Sequence, residues 1–387
     1  MKRAVCIGLV LLFLATGFVL YVLPHDGPRF QPVSGPAVVR PYQQISYDFL
    51  SPAPFEGGKM WIMTHATNQA EVFLFDIDQH KILGRLEDGW PVMNSGDQTQ
   101  ILCNQSGPRL KDRLWLWLDR LSGGRLKSPS RALASTYWRL DLTRNAAARV
   151  GRLPEMSHFL FSPAPDFQHG FTLLDKPALR VDLYIFDLTA GSMVQRPSPG
   201  WPAGWWDNSH ILCLAPNQDL LLYDIRTENA AVLIRAEQIA DFFRQHGLEA
   251  HSTQAKPFLA WRGHEYDFYL TDTERKWLAT NSFLIKLERP DGRLKLVSAD
   301  FKFGWSGQFD PAGRFYLYTG REPGQDTDGV FLRELETGTD RVLVPSTSAT
   351  YFSLPNFYRD SVLFVRSNML WRINLDGSQL TRLFPPP

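Results

Sequence analysis

One five-residue pattern recurs along this chain and leaves few folds open to it. It reads apolar, any residue, apolar or Arg, a carboxylate or polar counterpart, apolar. The copies are Phe73-Leu74-Phe75-Asp76-Ile77, Trp138-Arg139-Leu140-Asp141-Leu142, Tyr184-Ile185-Phe186-Asp187-Leu188, Leu221-Leu222-Tyr223-Asp224-Ile225, Phe283-Leu284-Ile285-Lys286-Leu287, Phe331-Leu332-Arg333-Glu334-Leu335 and Trp371-Arg372-Ile373-Asn374-Leu375. Such short β-branched and aromatic runs, bounded by turn residues, are strands. Most copies lead into a turn and a second short apolar strand. Seven copies, roughly 37 to 65 residues apart, predict repeated β-units set around one axis.

Around each copy the chain supplies further strands, here named a to d in chain order. In repeat 1, a is Ile45 to Leu50, b is Met60 to Thr64, c holds the pattern and d is Ile82 to Leu86. Repeat 3 starts at His158 to Phe161, and repeat 7 runs from Tyr351 to Phe384. The expectation is an all-β, seven-bladed β-propeller over residues 43–387, with six blades as the alternative if repeat 2 or 5 is misread. A hydrophobic content of 44%, with 12 Trp and 26 Phe, fills a core of that size. A formal net charge of +1 excludes a chain built to neutralise nucleic-acid phosphates.

Gly304-Trp305-Ser306, followed by Asp310-Pro311-Ala312-Gly313-Arg314-Phe315-Tyr316-Leu317-Tyr318, resembles the a–b corner of TolB-like, WD-repeat-like propeller repeats. Leu370 through Asp376-Gly377-Ser378 to Leu383 is similar to their c–d hairpin, and Phe49-Leu50-Ser51-Pro52 and Phe161-Ser162-Pro163 echo the corner. Repeats 2, 4 and 5 depart from it. The resemblance implies a fold and no activity, because such propellers serve as envelope scaffolds, sensors and gates on peptidases.

The N-terminus carries a separate message. Lys2 and Arg3 precede an uncharged apolar run from Ala4 to Leu23. Twenty helical residues span about 30 Å, the thickness of a bilayer's hydrocarbon core. Ala15-Thr16-Gly17 offers a cleavage site, but the apolar run continues past it, so an uncleaved signal-anchor over 1–23 is the expectation. The positive residues stay cytoplasmic, which places the rest outside the inner membrane, in the periplasm. Pro24, Pro28, Pro32, Pro36 and Pro41 make 24–42 read as an extended tether.

Two segments interrupt the repeats. Leu110, Leu114, Trp117, Leu118 and Leu121 fall on one helical face within an insertion between strands b and c of repeat 2. Ala236 to His246, between repeats 4 and 5, predicts a second helix that Gly247 stops. The b–c and d–a connections of a meandering blade emerge on one face, so both insertions decorate it. Trp90, Trp201, Trp205 and Trp305 stand in Gly-Trp sequences where chains enter the innermost strands, and Trp115 and Trp117 lie on the first insertion. Interblade packing accounts for indoles there. The functional reading is an aromatic rim that binds a sugar or a peptide. Arg109, Lys111, Arg113 and Arg120 around Trp115 and Trp117 also suit a membrane surface.

Chemistry-bearing motifs are sparse. Gly304-Trp305-Ser306-Gly307-Gln308 lacks the final Gly of a nucleophile elbow, and no hydrolase-sized segment follows Phe384. The nine His show no metal-ligand spacing, and Asp326-Thr327-Asp328-Gly329 lacks the closing Glu of a calcium loop. No cofactor is expected. The Asp at position four of the pattern reads as a turn cap. Cys103 and Cys213 take matching places in repeats 2 and 4 and read as small buried hydrophobes. The expectation is a membrane-anchored, non-catalytic scaffold, not an enzyme, that binds a protein or glycan partner on the decorated face. The alternative is a hydrolase or lyase acting on a glycan or peptide from the central channel, and an inward-signalling receptor is a third reading.

Overall fold

The computed structural model describes residues 27–33, 44–46, 58–66, 69–108, 133–153, 161–176, 180–248, 255–262, 265–272, 281–302, 307–310, 312–321, 328–345 and 352–384. They form seven antiparallel sheets, each a four-strand meander in chain order, with one further strand added to the first. The seven-bladed form therefore holds, and the six-bladed alternative falls away. Strands a (Gln44–Ser46, Trp90–Asn94, Phe161–Pro163, Trp201–Trp205, Ala255–Arg262, Gln308–Phe309 and Phe352–Tyr358) lie innermost. From blade 3 to blade 7 each touches the next around the axis.

Every copy of the recurrent pattern is the third strand of its sheet, and each position has its own task. The third position points into the core: Phe75, Leu140, Phe186, Tyr223, Ile285 and Ile373 are all buried. In blade 6 that place is taken by Arg333, also buried. Its guanidinium donates to both carboxylate oxygens of Asp340, at 3.0 and 2.9 Å, and lies over Phe301. A planar fork matched to a carboxylate is the form in which a buried charge is tolerated.

The fourth position caps the c–d turn as expected. Asp76 accepts the Gln79 N–H, Asp141 those of Thr143 and Arg144, Asp187 that of Ala190 and Asp224 that of Arg226. At the fifth position the backbone N–H donates to a carbonyl of the a–b corner in the same blade. These bonds run from Ile77 to Gly58, Leu142 to Thr99, Leu188 to Gln168, Ile225 to Ser209, Leu335 to Arg314 and Leu375 to Asp360. The pattern thus encodes core contact, turn cap and corner tie in consecutive residues.

Neighbouring blades are joined by apolar clusters. One is shared by blades 3, 4 and 5, and others join 5 to 6, 6 to 7, 1 to 2 and 2 to 3. At the seam, Met60, Ile62, Phe73 and Phe75 of blade 1 pack with Leu363, Val365, Leu383 and Phe384 of blade 7. Phe75 and Phe384 meet edge to face at 5.6 Å. All four strands of blade 7 come from 352–384, so among the described residues the ring closes by packing, with no strand exchanged.

Within the segment read as a tether, Arg29–Pro32 is a fifth strand on the outer edge of blade 1, antiparallel to Lys81–Glu87. Phe30 turns inward over Gly84, where an added Cβ would lie 2.1 Å from its ring, and meets Trp61 edge to face at 6.2 Å. Its N–H donates to Asn145 Oδ1 of blade 2 at 2.8 Å. Pro32 is tolerated because this is an edge strand.

The predicted N-terminal span, 1–23, lies outside the described residues, and so does 109–132, most of the insertion expected over roughly Gln105 to Ser135; the ends of that range belong to strands Gln100–Pro108 and Leu133–Asp141. Among the described residues no helix is long and apolar enough to cross a membrane.

Candidate functional site at the ring mouth

The second predicted helix, α1, forms over Ala236–Gln245 in the connection from blade 4 to blade 5. Its first N–H groups find acceptors: Arg235 donates to Gln238 Oε1 and Ala236 to Asp219 Oδ1, in the b–c turn of blade 4. Gly247 ends it with φ +62°, and Leu248 N–H returns to the Phe243 carbonyl, a Schellman-type stop. Ile239 is buried, and Phe243 packs on Phe283 of blade 5 at 4.8 Å. The helix is therefore fixed over blades 4 and 5 on the loop face.

On the same face, Trp90 and Trp201 open the innermost strands of blades 2 and 4. They occupy matching positions. Each follows a Gly and precedes a Pro, each faces the b strand across the first rung (Asn104 and Leu214), and each is followed by a bulge. At Gly200 the backbone passes so close to Leu214 that a Cβ would lie 2.3 Å from its carbonyl oxygen. Both indoles are exposed, Trp90 by 36% and Trp201 by 46%.

Trp205, four residues on, is fully buried. Its Nε1 donates to the Ser162 carbonyl at 2.9 Å and its ring packs on Phe171, so it fills the interface between blades 3 and 4. Trp206 is likewise buried, stacked on Phe268 under the Arg289 guanidinium. Of the six tryptophans expected at the rim, the structure thus exposes Trp90 and Trp201 and encloses Trp205. Trp115, Trp117 and Trp305 lie outside the described residues.

Two polar atoms near these indoles were not anticipated. Asn104 Oδ1, on the strand paired with Trp90, and Ser162 Oγ, on the innermost strand of blade 3 between the two Trp blades, are buried without a hydrogen-bond partner. The Asn104 amide nitrogen donates to Ser135 Oγ at 3.5 Å. Unsatisfied acceptors in a native fold call for a donor. No motif marks either residue in the sequence. The signal available was a polar side chain on an otherwise apolar strand, Ile101-Leu102-Cys103-Asn104.

The opposite face holds the tight turns and two similar Asp-His pairs. His169 Nδ1 lies 2.9 Å from Asp166 Oδ2, with Asp187 4.0 Å from Nε2. His210 Nδ1 lies 2.9 Å from Asp207 Oδ2. The Asp-x-x-His spacing of both pairs is visible in the sequence. Both carboxylates also accept backbone N–H groups of their corners. The hydrogen bond from Asp166 outweighs burial and raises the His169 pKa. Among the described residues no three His, Cys, Asp or Glu side chains stand together as metal ligands. Cys103 and Cys213 are buried free thiols, and burial pushes the Cys213 pKa up to about 12.

No protein-family model matches the chain, and no curated protein sequence does. Solved structures do. The β-propeller domain of the Trilobed protease from Pyrococcus furiosus, described as having an open velcro topology, superposes with a TM-score of 0.56 at 11% identity over 90% of this chain and 100% of that one. An oligogalacturonate lyase from Vibrio parahaemolyticus gives 0.55 at 10% identity, covering 92% and 96%. TolB from Acinetobacter baumannii is matched at 14% identity over 83% and 77%, with a TM-score of 0.39. At these identities the likeness is one of fold.

The lyase nonetheless corrects one expectation. Reading the chain as a non-enzyme rested on the lack of a catalytic motif and of a hydrolase domain. A lyase of nearly the same extent shows that a propeller alone suffices for catalysis, so the fold permits an enzyme.

Proposed function

We propose that this protein is a β-propeller, anchored outside the inner membrane by residues 1–23, whose loop face binds a glycan. The observation that carries the binding reading is the pair Trp90 and Trp201. Trp205, farther along the innermost strand of blade 4, is buried, whereas these two, at matching places in blades 2 and 4, are exposed. An exposed indole presents a flat apolar face and a polar N–H, the combination that stacks on a pyranose ring. The anchor is supported by the apolar run from Ala4 to Leu23 behind Lys2 and Arg3.

The test is binding of fluorescent oligosaccharide pools to Trp201→Ala, Trp90→Ala and the parent. Loss of binding in variants that melt like the parent supports the site. Unchanged binding in both removes it. Capture of peptides in place of sugars turns the reading to a protein partner. Product analysis of the same mixtures shows whether bound chains are also cleaved.

A further inference from the structure

Trp90 and Trp201 stand at matching places, but the glycine before each is held by a different part of the chain. Ahead of Trp201 the support is local. A Cβ on Gly200 would lie 2.3 Å from the Leu214 carbonyl oxygen and 3.0 Å from the Ala215 Cα, so the paired strand of the same blade fixes it. The Ser198 hydroxyl donates to the Gly200 carbonyl, and Pro199 stiffens the approach. Ahead of Trp90 the support comes from outside the blade. A Cβ on Gly89 would lie 2.9 Å from the Pro28 Cβ and 3.5 Å from the Cys103 Cβ. One wall is the paired strand of blade 2, and the other is the residue just before the strand Arg29–Pro32.

That added segment is docked on two blades at once. Gly27 and Pro28 are buried, and a Cβ on Gly27 would lie 2.6 Å from the Trp138 ring and 3.0 Å from the Ala147 Cβ, both of blade 2. The Phe30 N–H reaches Asn145 of blade 2, while the Phe30 ring lies over Gly84 of blade 1. Gln31 donates to Glu87 at 2.7 Å, and the Val33 N–H returns to the Leu83 carbonyl at 3.1 Å. Glu87 ends the last strand of blade 1, and Trp90 opens the first strand of blade 2. The segment therefore grips both sides of the two-residue connection, Asp88-Gly89, that leads into Trp90.

Resting on the reading of Trp90 and Trp201 as a binding pair, we propose that residues 27–32 are a strap that positions Trp90. Docked, Pro28 fills the space behind Gly89 and sets the angle at which the innermost strand begins, which aims the indole. Released, Gly89 keeps only its Cys103 wall, and the indole samples several directions. Trp201 carries its own support and stays aimed. Pro28 and Phe30 are thus positioning residues that act through Trp90. Blade 2's half of the site is conditional on a segment paired to the outer edge of blade 1.

The experiment uses the full chain in detergent, labelled with fluorotryptophan, with the two signals assigned by Trp90→Phe and Trp201→Phe. Fluorine NMR is recorded for Phe30→Ala, which frees the strap, and for Pro28→Gly, which keeps the strand and removes only the wall behind Gly89. A Trp90 signal that shifts or broadens in both variants, beside an unmoved Trp201 signal, supports the strap. An unmoved Trp90 signal overturns it, and so does equal movement of both signals. Titration with the fluorescent oligosaccharide pools is the second arm. Phe30→Ala should weaken binding several-fold in the parent and add nothing to Trp90→Ala, as expected for residues acting through one another. A further loss on top of Trp90→Ala overturns action through Trp90. A moved Trp90 signal in a protein whose parent binds no pool removes the glycan reading and leaves the positioning standing.

Discussion

The Tyr358 hydroxyl donates to Asp78 Oδ1 at 2.6 Å, joining the last blade to the first across 280 positions of sequence. Arg359 adds its guanidinium to Asp78 at 3.0 Å. Burial, and then Asp78 itself, raise the Tyr358 pKa, so the phenol stays a donor across the physiological range. A hydrogen bond to a charged group contributes roughly 1.5–3 kcal/mol, reduced here because Asp78 is partly exposed. Tyr358→Phe is therefore expected to cost about 1–2 kcal/mol in urea unfolding. Arg359→Ala, which removes an exposed ion pair and the guanidinium lying 5.0 Å over the Tyr358 ring, costs about 1 kcal/mol or less. Equal losses in the two variants would place the seam's strength elsewhere.

Trp205 and Trp201 sit four residues apart on one strand and are expected to respond in opposite ways. Trp205→Ala leaves a cavity between blades 3 and 4 and an unused acceptor at Ser162, for a loss of about 3–5 kcal/mol. Trp201→Ala removes a largely solvated ring and costs about 1 kcal/mol or less, while weakening glycan binding. Chemical denaturation of both proteins beside a binding titration separates the two roles.

Phe30 is the pin of the added strand. Phe30→Ala, or Gly84→Val beneath it, should release residues 27–33 without unfolding the seven sheets. Amide hydrogen exchange is expected to accelerate at Phe30 to Pro32 and to stay slow at Leu363 and Phe364. Slow exchange throughout would mean that the backbone pairing with Lys81–Glu87 holds the strand alone.

His169 gives blade 3 a pH dependence with a definite sign. Its pKa is raised first by the Asp166 hydrogen bond, against burial and the nearby Arg226. The stabilisation is therefore complete below the unfolded value, about 6.5, and is lost as pH rises through the folded one. Burial raises the Asp166 pKa, but His169 and two backbone N–H groups outweigh it, and the net shift is downward. That contribution is present above about 3.9 and fades as pH falls through the folded value. The melting-temperature gap between the parent and His169→Gln should be widest between about pH 4 and 6.5 and should narrow on the alkaline side.

Why some of this was legible and some not follows from particular residues. Phe75, Asp76 and Ile77 perform three adjacent tasks, so they leave a dense local signature, and seven repetitions of it specify the ring. The Gly-Trp sequences were visible too. Whether an indole faces solvent or a neighbouring blade depends on the bulges after Pro91 and Pro202, which shift the register, and no local sequence reports that. Strand a of blade 3 was expected at His158 to Phe161; 158–160 lie outside the described residues, and the described strand, Phe161–Pro163, extends past the expected end because Ser162 and Pro163, read as corner residues, still belong to it. Arg29–Pro32 is too short to show a period, and Pro32, with Pro28 just before the strand, suggests a linker. Its pairing is written in Gly84, more than fifty residues away, whose missing side chain makes room for Phe30.

Because no strand is traded across the seam, the order of synthesis is also the order of assembly. Blade 1 can form early, but Asp78 and the inner face of Phe75 remain uncovered until the final segment, 352–384, is delivered. For a chain made N-terminus first, the nascent disc is an open arc with an adhesive end throughout its synthesis. The protein is most exposed to misassociation just before the last blade arrives, and a premature stop after blade 6 leaves that end permanently bare.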